Sequence, residues 1–482
     1  MDFYEAVRLE HGGKFQPKND LGTILLPKHS KDLPSNNITN QLFLFDGFSR
    51  LDWNQSIVKL SIIGIAINQV FCGNNSEINS SILYCAFELL ELQGSEKRIK
   101  ASIECLPESH DLFFTSVIIK CPIPFHFWSK LNSNRTRLIM YNHTHPQRSH
   151  VSSLIKIIHS QTEHLNKSKS ITVCVRPLFG TVNVLNLLEF IAFYRTNGIN
   201  RIVFYYYEFN KSFISPTLKK TENFLNKFLS KIDGVELILF RLPEIIETNV
   251  HAGAQIATVH DCLHRFPNSI QLHVDIDEFL FVQKEMKTIR HWLDLITTRP
   301  DPPIAIYIPS ILHCHEFNLN HSKYYEFQFQ SKNEFYNNLN WKTIRNGLIV
   351  PNNARYQKTV WSHGIRSKVL LLEPKLVNHL GIHQVWSFVN KPTSTLTQRL
   401  IGTIVGPLGQ YENVDSHHAI LRHYRWCCNI QQSYFFQLFH FYSIQDDIID
   451  LDIRKQIIFD QLGSIENFTL IGFKKFYSMQ HL

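Results

Sequence analysis

The order of apolar and polar positions divides the chain into two parts with different patterns. Up to about Asn166, short apolar stretches such as SIVKLSIIGIAI, SILYCAFEL and TSVIIKC alternate with polar loops. Stretches of this length and composition predict strands. The polar segment from Gln161 to Ser170 then marks the expected boundary. We therefore predict a β-rich N-terminal region over residues 1–165.

From Ile171 onwards, strand patterns alternate with helix patterns. Apolar residues at i, i+3, i+4 and i+7 from Val184 predict a helix that ends near Gly198. Strands alternating with helices predict an α/β class with a mainly parallel, helix-covered sheet over residues 170–445. The amphipathic tail, 446–482, predicts a helix. The remaining expected elements are strands at Ile171–Val175, Ile202–Tyr207, Val235–Leu242, Ile270–Val274, Ile304–Ile308 and Lys368–Leu372, and helices from Ser215 and over His251–Phe266.

The stretch IQLHVDIDEFLFV, Ile270 to Val282, carries the most informative chemistry. A strand runs directly into Asp275, Asp277 and Glu278, and an apolar run that should be buried follows. A D-x-D pattern is also typical of an acidic surface turn. Ligands, however, bind beyond the carboxyl ends of parallel strands, and carboxylates with phosphate oxygens hold divalent cations. The context therefore favours a metal site at Asp275 and Asp277.

Charge and composition narrow the function classes. The chain has 49 basic and 41 acidic residues, a net charge of +8, without a Lys/Arg block, zinc-finger spacing or RNA-binding signature. These features make nucleic acid a distant third among the expected partners. With 44% hydrophobic and 19% charged residues, a largely disordered chain is excluded.

Cysteines, sequons and the N-terminus bear on the compartment. Nine cysteines without a C-x-x-C pair exclude a zinc ribbon, and they fit either structural disulfides or buried free thiols. Sequons such as those at Asn142 and Asn467 favour the secretory route slightly. The first fifteen residues lack the apolar core of a signal peptide, and the run from Ile57 to Cys72 is too short to span a bilayer. A membrane anchor would therefore lie outside this chain.

Several stretches together resemble glycosyltransferase family 92, a former domain of unknown function whose characterised members are galactosyltransferases of animals and plants. Their shared order from Ile171 to Arg425 makes the resemblance specific. The N-terminal stretches FLFDGFSRLDW and SILYCAF resemble the family more diffusely. The segments that carry it are CVRPLFG from Cys174, LLEFIAFYRTNGINRIVFYYYE from Leu187, Gln255 with HDCLHR from His260, DIDEF from Asp275, Lys368 with Pro374 and His383, and HYR from His423.

The resemblance implies a GT-A fold and a metal-dependent, inverting transfer of a hexose, galactose from UDP-galactose, to a glycan acceptor. It also implies Mn²⁺ or another divalent cation, and the lumenal side of the Golgi membrane. His383 follows a glycine that allows a tight turn, so we expect it as the third metal ligand. Glu316 is the expected general base, with Glu278 as a second candidate. The residues expected to bind the donor are Arg176, Gln255, Asp261, Lys368 and His423.

Two departures from the family keep a second function class open. The stretch Ile311 to Phe317 stands where the family has a tryptophan and a glycine-rich segment, and His260 stands where many members have asparagine. The alternative is a non-catalytic carbohydrate-binding or scaffolding protein on a degenerate transferase fold. Metal-dependent nucleotide binding separates the two classes.

Overall fold

The structure is a computed structural model that covers a large part of the chain. The residues it describes are 42–52, 57–72, 81–88, 96–110, 112–128, 136–142, 150–155, 157–159, 169–178, 184–206, 229, 232–240, 242, 246, 249–315, 355–361, 366–389, 410–426 and 441–443.

The N-terminal region consists of two sheets, as its strand patterns predict. One sheet has the order β5-β6-β2-β1-β9 and the other β4-β3-β7-β8, with antiparallel pairing except between β1 and β9. Disulfides join Cys72 to Cys105 and Cys85 in the second sheet to Cys121 in the first. The elements are β1 Leu42–Asp52, β2 Ile57–Ile67, α1 Asn68–Phe71, β3 Ser81–Glu88, β4 Glu96–Lys100, β5 Ser102–Cys105, β6 Phe114–Pro124, α2 Phe125–Trp128, β7 Thr136–Asn142, β8 His150–Ile155 and β9 Ile157–His159.

The second part alternates strands and helices, which confirms the mixed α/β class. Three short 3₁₀ segments, His251–Ala254, Lys284–Met286 and Pro374–Leu376, lie between the main elements. The main elements are β10 Ile171–Leu178, α3 Val184–Thr196, β11 Arg201–Tyr206, β12 Val235–Leu239, α4 Gln255–Arg265, β13 Ile270–Val274, β14 Glu278–Val282, α5 Ile289–Thr297, β15 Ala305–Ile308, β16 Ser310–His315, β17 Arg355–Trp361, β18 Lys368–Leu371, β19 Val377–Leu380, β20 Val385–Phe388, β21 Tyr411–Asn413, β22 Ala419–Trp426 and β23 Phe441–Ser443.

A seven-stranded sheet with the order β12-β11-β10-β13-β18-β15-β21 forms the centre of this part. The first four strands are parallel, as predicted, whereas β18 pairs antiparallel with both β13 and β15. Strand β13 is buried on both faces. Its polar Gln271 is satisfied there, since its amide donates to the Phe266 carbonyl at 2.7 Å. A five-stranded sheet, β14-β22-β16-β17-β23, continues from the turn after β13.

Several element boundaries differ from the sequence prediction. Strand β10 continues through Pro177 to Leu178, with a register shift in its pairing to β11, because proline is tolerated where a ladder hydrogen bond is already interrupted. The segment His251–Phe266 is not one helix, since the three left-handed residues Ala252 to Ala254 form a separate turn before α4 begins at Gln255. The sequence before His423 has a helical pattern, but Ala419–Arg422 belong to β22. The predicted helices from Ser215 and over 446–482 lie outside the described residues.

The two parts of the chain share apolar contacts. One buried cluster contains Phe43, Ile65 and Phe114 from the N-terminal sheet together with Val203 and Ile256 from the second part. The N-terminal sheet therefore packs against the seven-stranded sheet and α4. The predicted domain limits stay a prediction, because residues 160–168 lie outside the described part. No helix among the described residues is long and apolar enough to cross a membrane.

Candidate active site

The turn between β13 and β14 brings the three carboxylates of the D-x-D stretch together. The amide of Glu278 donates to the Asp275 carbonyl at 3.0 Å, and the Asp275 amide donates to the Glu278 carboxylate at 2.8 Å. Asp275 and Glu278 are 5% and 2% exposed, and all five residues of β14 are buried. The predicted burial of the apolar run is therefore confirmed. Carboxylates buried in this way require nearby positive charge.

Lys368 and Arg176 supply that charge. The Lys368 ammonium lies 3.4 Å from Asp275 Oδ1 and 3.1 Å from Glu278 Oε2, and it is 2% exposed. The Arg176 guanidinium lies 3.2 Å from Asp275 Oδ2. Burial raises the pKa of Asp275, but the neighbouring cations outweigh it and hold that pKa well below the usual range. Burial lowers the pKa of Lys368, but the two carboxylates outweigh it and raise the pKa. Both groups are charged at neutral pH.

His423 joins the same cluster from β22. The Tyr424 amide donates to the Asp277 carbonyl at 2.8 Å, which fixes β22 beside the turn. His423 Nε2 lies 3.3 Å from Asp277 Oδ2, and its Nδ1 lies 3.5 Å from Glu278 Oε1. Burial lowers the pKa of His423, but these carboxylates outweigh it and raise the pKa. The imidazole therefore favours the charged form.

Gln255 and the start of α4 close the other side of the site. The Gln255 amide lies 3.4 Å from Asp275 Oδ1. The N-terminus of α4 has no side-chain cap, and the left-handed residues Ala252 to Ala254 precede it. A small cleft lies here, lined by Cys174, Val175, Arg176, Tyr205, Gln255, Thr258, Val259, His273, Val274, Lys368 and Ile382. A disulfide between Cys174 and Cys262 ties β10 to α4 beneath this cleft.

His383 lies in the turn between β19 and β20, which packs beside β18. Its Nδ1 donates to the Ser367 carbonyl at 2.9 Å, and the Ser367 hydroxyl donates to the His383 carbonyl at 3.1 Å. Nε2 therefore carries the lone pair, as in histidines that ligate metals. Burial and the charge of Lys368 lower the pKa of His383 to about 4, so the ring is neutral at neutral pH. The electrostatic interaction with His383 also contributes to the lowered pKa of Asp275.

One predicted donor-binding residue, Asp261, has other partners. Asp261 accepts hydrogen bonds from Tyr205 at 2.6 Å and from Arg265 at 2.9 Å, and Arg265 also pairs with Asp46 of β1 at 2.6 Å. Asp261 thus lies in a network that links α4 to the N-terminal sheet. Glu316 lies outside the described residues.

Sequence reasoning missed several residues around the site. His273 lines the cleft, although strand alternation alone gave it no role. Burial lowers its pKa to about 3, and its Nε2 lies 3.1 Å from Gln271 Oε1. Glu108 contacts the turn that carries His383. No sequence signal near Glu108 points to this contact, because the two partners lie in different parts of the chain.

His260, the departure in α4, has a structural explanation. The ring is fully buried, and its Nε2 accepts a hydrogen bond from the Leu380 amide at 3.3 Å. Burial keeps the pKa of His260 well below its usual range, so the ring stays neutral and keeps this lone pair. His260 therefore fixes β19 to α4.

The carboxylates fit a divalent cation shared with a ligand better than a preformed metal cage. Asp277 Oδ1 is buried without a hydrogen-bond partner, so it offers an acceptor that a cation would satisfy. Within the described ranges, no three His, Cys, Asp or Glu side chains are grouped closely enough to hold a metal alone. This is the arrangement expected when phosphate oxygens complete the metal shell.

Comparison with known proteins identifies the family. No curated protein matches the chain. The model of glycosyltransferase family 92 matches residues 169–454, which include every segment of the cluster around Asp275 and more than half of the 482 residues. The chain therefore belongs to glycosyltransferase family 92.

Proposed function

We propose that this protein transfers a hexose, galactose from UDP-galactose, to a glycan acceptor in a metal-dependent, inverting reaction on a GT-A fold. The observation that carries the proposal is the charge-compensated cluster of Asp275, Glu278, Lys368 and Arg176 beside an unpartnered oxygen of Asp277. A degenerate, non-catalytic domain has no need for buried carboxylates at the end of a strand that two cations, Lys368 and Arg176, must compensate. The cluster therefore favours an enzyme over the binding module.

Binding of the donor diphosphate is assigned to two features at the cleft. Arg176 lines the cleft, and 39% of its side chain is exposed, so it is accessible to an anion while it contacts Asp275. The uncapped N-terminus of α4 adds backbone N–H groups and the positive end of a helix dipole. Lys368 is buried beneath them and holds the carboxylates in place.

Asp277 would hold the divalent cation through its unpartnered Oδ1. Asp275 and neutral His383 are the proposed further ligands, although these three side chains do not lie close enough together in this structure to hold the ion without other ligands. When bound, the cation acts as a Lewis acid for the negative charge that develops on the leaving diphosphate. His423, paired with Asp277, adds positive charge at the same place and orients that carboxylate. Electrostatic stabilisation by groups fixed before the reaction is usually a large part of the rate enhancement.

Inversion needs a general base for the acceptor hydroxyl, and the proposal assigns it to Glu316. Glu278 is less suited to this role. Its carboxylate accepts from the Asp275 amide, pairs with Lys368 and is 2% exposed, so it does not reach an incoming hydroxyl. We assign Glu278 to the support of the turn.

The secretory compartment is part of the proposal. The three disulfides, Cys72–Cys105, Cys85–Cys121 and Cys174–Cys262, are typical of an oxidising compartment. They support the lumenal side of the Golgi membrane as the proposed location. Mass spectrometry of the expressed protein under non-reducing conditions tests the pairing. A cytosolic, fully reduced and unglycosylated product would contradict this assignment.

Calorimetry with UDP in the presence and absence of Mn²⁺ tests the proposed activity. We expect UDP binding that depends on the metal, followed by slow hydrolysis of one nucleotide sugar in a panel that includes UDP-galactose. A different preferred sugar would correct the donor only. Absence of any nucleotide binding would overturn the enzyme and favour the carbohydrate-binding alternative.

A further inference from the structure

A tryptophan beside the cleft is both exposed and fixed in position. Trp386 belongs to β20, in the two-stranded β19–β20 sheet whose connecting turn carries His383. It is 47% exposed. Its indole N–H nevertheless donates to Glu108 Oε1 at 3.0 Å. A surface tryptophan without a function does not need such an anchor, whereas a rigid aromatic surface favours ligand binding because little conformational entropy is lost.

The surrounding backbone is shaped to hold this ring. Glu108 Oε1 also accepts from the Ile382 amide at 3.2 Å, so one carboxylate fixes both the turn and the indole. A Cβ atom at Gly381 would collide with Glu108 Oε1 and with Trp386 Nε1. Glycine therefore leaves the space in which the carboxylate and the ring edge meet.

The backbone that carries Glu108 is strained. Glu108 has φ 67° and His110, two residues later, has φ 50°, both in the left-handed region that non-glycine residues rarely adopt. Strain of this kind persists where surrounding contacts enforce it, and it concentrates at functional sites. The loop after β5 therefore keeps an unfavourable conformation that places its carboxylate between Gly381 and Trp386.

The ring is continuous with the proposed donor site. Ile382 follows Gly381 and lines the cleft with Arg176 and Lys368. His383 is locked to Ser367, the neighbour of Lys368. Trp386 is thus linked to the cleft through the turn that carries Ile382 and His383.

We propose that the exposed face of Trp386, oriented by Glu108 as a positioning residue, binds a hexopyranoside ring of the glycan acceptor. One face of such a ring presents C–H groups that pack on an indole, and the hydroxyls at its edge remain free for hydrogen bonds. The assignment of this sugar as the acceptor rests on the proposed transferase function. Sugar binding at Trp386 does not depend on that function.

Two measurements separate these statements. Methyl glycosides of galactose, glucose, mannose and fucose are titrated into protein with ¹⁵N-labelled tryptophan. The Trp386 indole signal is identified by its loss in Trp386→Phe. We expect at least one glycoside to shift that signal. Absence of any shift, while UDP still binds, would overturn the inference alone. A shift without any UDP binding would refute the proposed function and leave the sugar site standing.

Kinetics test the acceptor assignment. We expect Trp386→Ala to raise the KM for acceptor about tenfold, because one stacking contact is lost. A tenfold change corresponds to about 1.4 kcal/mol. UDP affinity and the KM for donor should stay unchanged. Glu108→Ala should give a similar change and broaden the Trp386 indole signal, whereas Glu108→Gln, which retains an acceptor oxygen, should restore much of the affinity. Leu295→Ala, a residue of similar exposure on α5, is the control. An unchanged acceptor KM in Trp386→Ala, with UDP binding intact, would overturn the assignment.

Discussion

Removal of the buried ammonium of Lys368 is the most direct test of the cluster. In Lys368→Met, Asp275 and Glu278 lose a cation at 3.4 Å and 3.1 Å while the side-chain volume is nearly kept. Each charge-assisted hydrogen bond contributes about 1.5–3 kcal/mol. Loss of one partner of a buried ion pair costs about 3–5 kcal/mol. We therefore expect the free energy of unfolding to fall by about 3–5 kcal/mol.

The loss of stability in Lys368→Met should depend on pH, because Glu278 titrates differently without the lysine. Burial and the charge of Asp275 raise the pKa of Glu278, while Lys368 lowers it. Without the lysine, that pKa rises further, so the folded variant takes up a proton as the pH falls, and this uptake offsets part of the lost stability. The destabilisation should be smaller at about pH 5 than at about pH 8.

Urea unfolding of the wild type and the variant at both pH values measures the effect. Lys375→Met is the control, because this exposed lysine pairs with Glu373 at 3.3 Å on the surface. Its loss should cost about 0–1 kcal/mol at either pH. A Lys368 variant that behaves like this control, or one whose loss does not depend on pH, would refute the electrostatic reasoning.

Three further variants probe the metal, the donor and the disulfide. Asp277→Asn should abolish metal-dependent UDP binding with only a modest fall in Tm, because Asp277 Oδ1 has no partner in the fold and an asparagine oxygen can still accept from His423. His383→Ala should raise the Mn²⁺ concentration needed for activity, whereas His423→Ala should chiefly weaken donor binding at saturating metal. Replacement of both Cys174 and Cys262 by alanine should lower the free energy of unfolding by about 2–4 kcal/mol. It should also weaken UDP binding, since the disulfide fixes α4 beside β10.

Each of these expectations has a contrary outcome. Asp294→Asn, an exposed aspartate on α5, serves as the control for Asp277→Asn and should leave UDP binding unchanged. If Asp277→Asn still binds UDP in a metal-dependent way, Asp277 is not a metal ligand. If His423→Ala, and not His383→Ala, raises the Mn²⁺ concentration needed for activity, the ligand assignment is reversed. The two variants can be compared because His423 also contacts Asp277. If the variant without the Cys174–Cys262 disulfide binds UDP with unchanged affinity, the disulfide contributes to stability only.

Local sequence patterns determined the elements around the site. Strand β13 begins and ends where its apolar residues predict, and α3 begins at Val184 as its periodicity indicates. Alternating strands and helices also predicted the parallel strands β10 to β13. Because the D-x-D residues follow β13 directly, their place at a strand end was readable from the sequence. These features depend on contacts within a few residues, which periodicity records.

Only the tertiary structure decided which distant residues meet there. Strand β18 is inserted antiparallel beside β13, which brings Lys368 to Asp275 and Glu278. Asp261 matched a family motif, yet its partner Arg265, which also pairs with Asp46, places it in the contact between the two parts of the chain. The hydrogen bond from Trp386 to Glu108 likewise joins the N-terminal region to the turn after β19. Pairings of this kind depend on strand order and on the packing of one sheet against another, and neither leaves a periodic signal in the residues themselves.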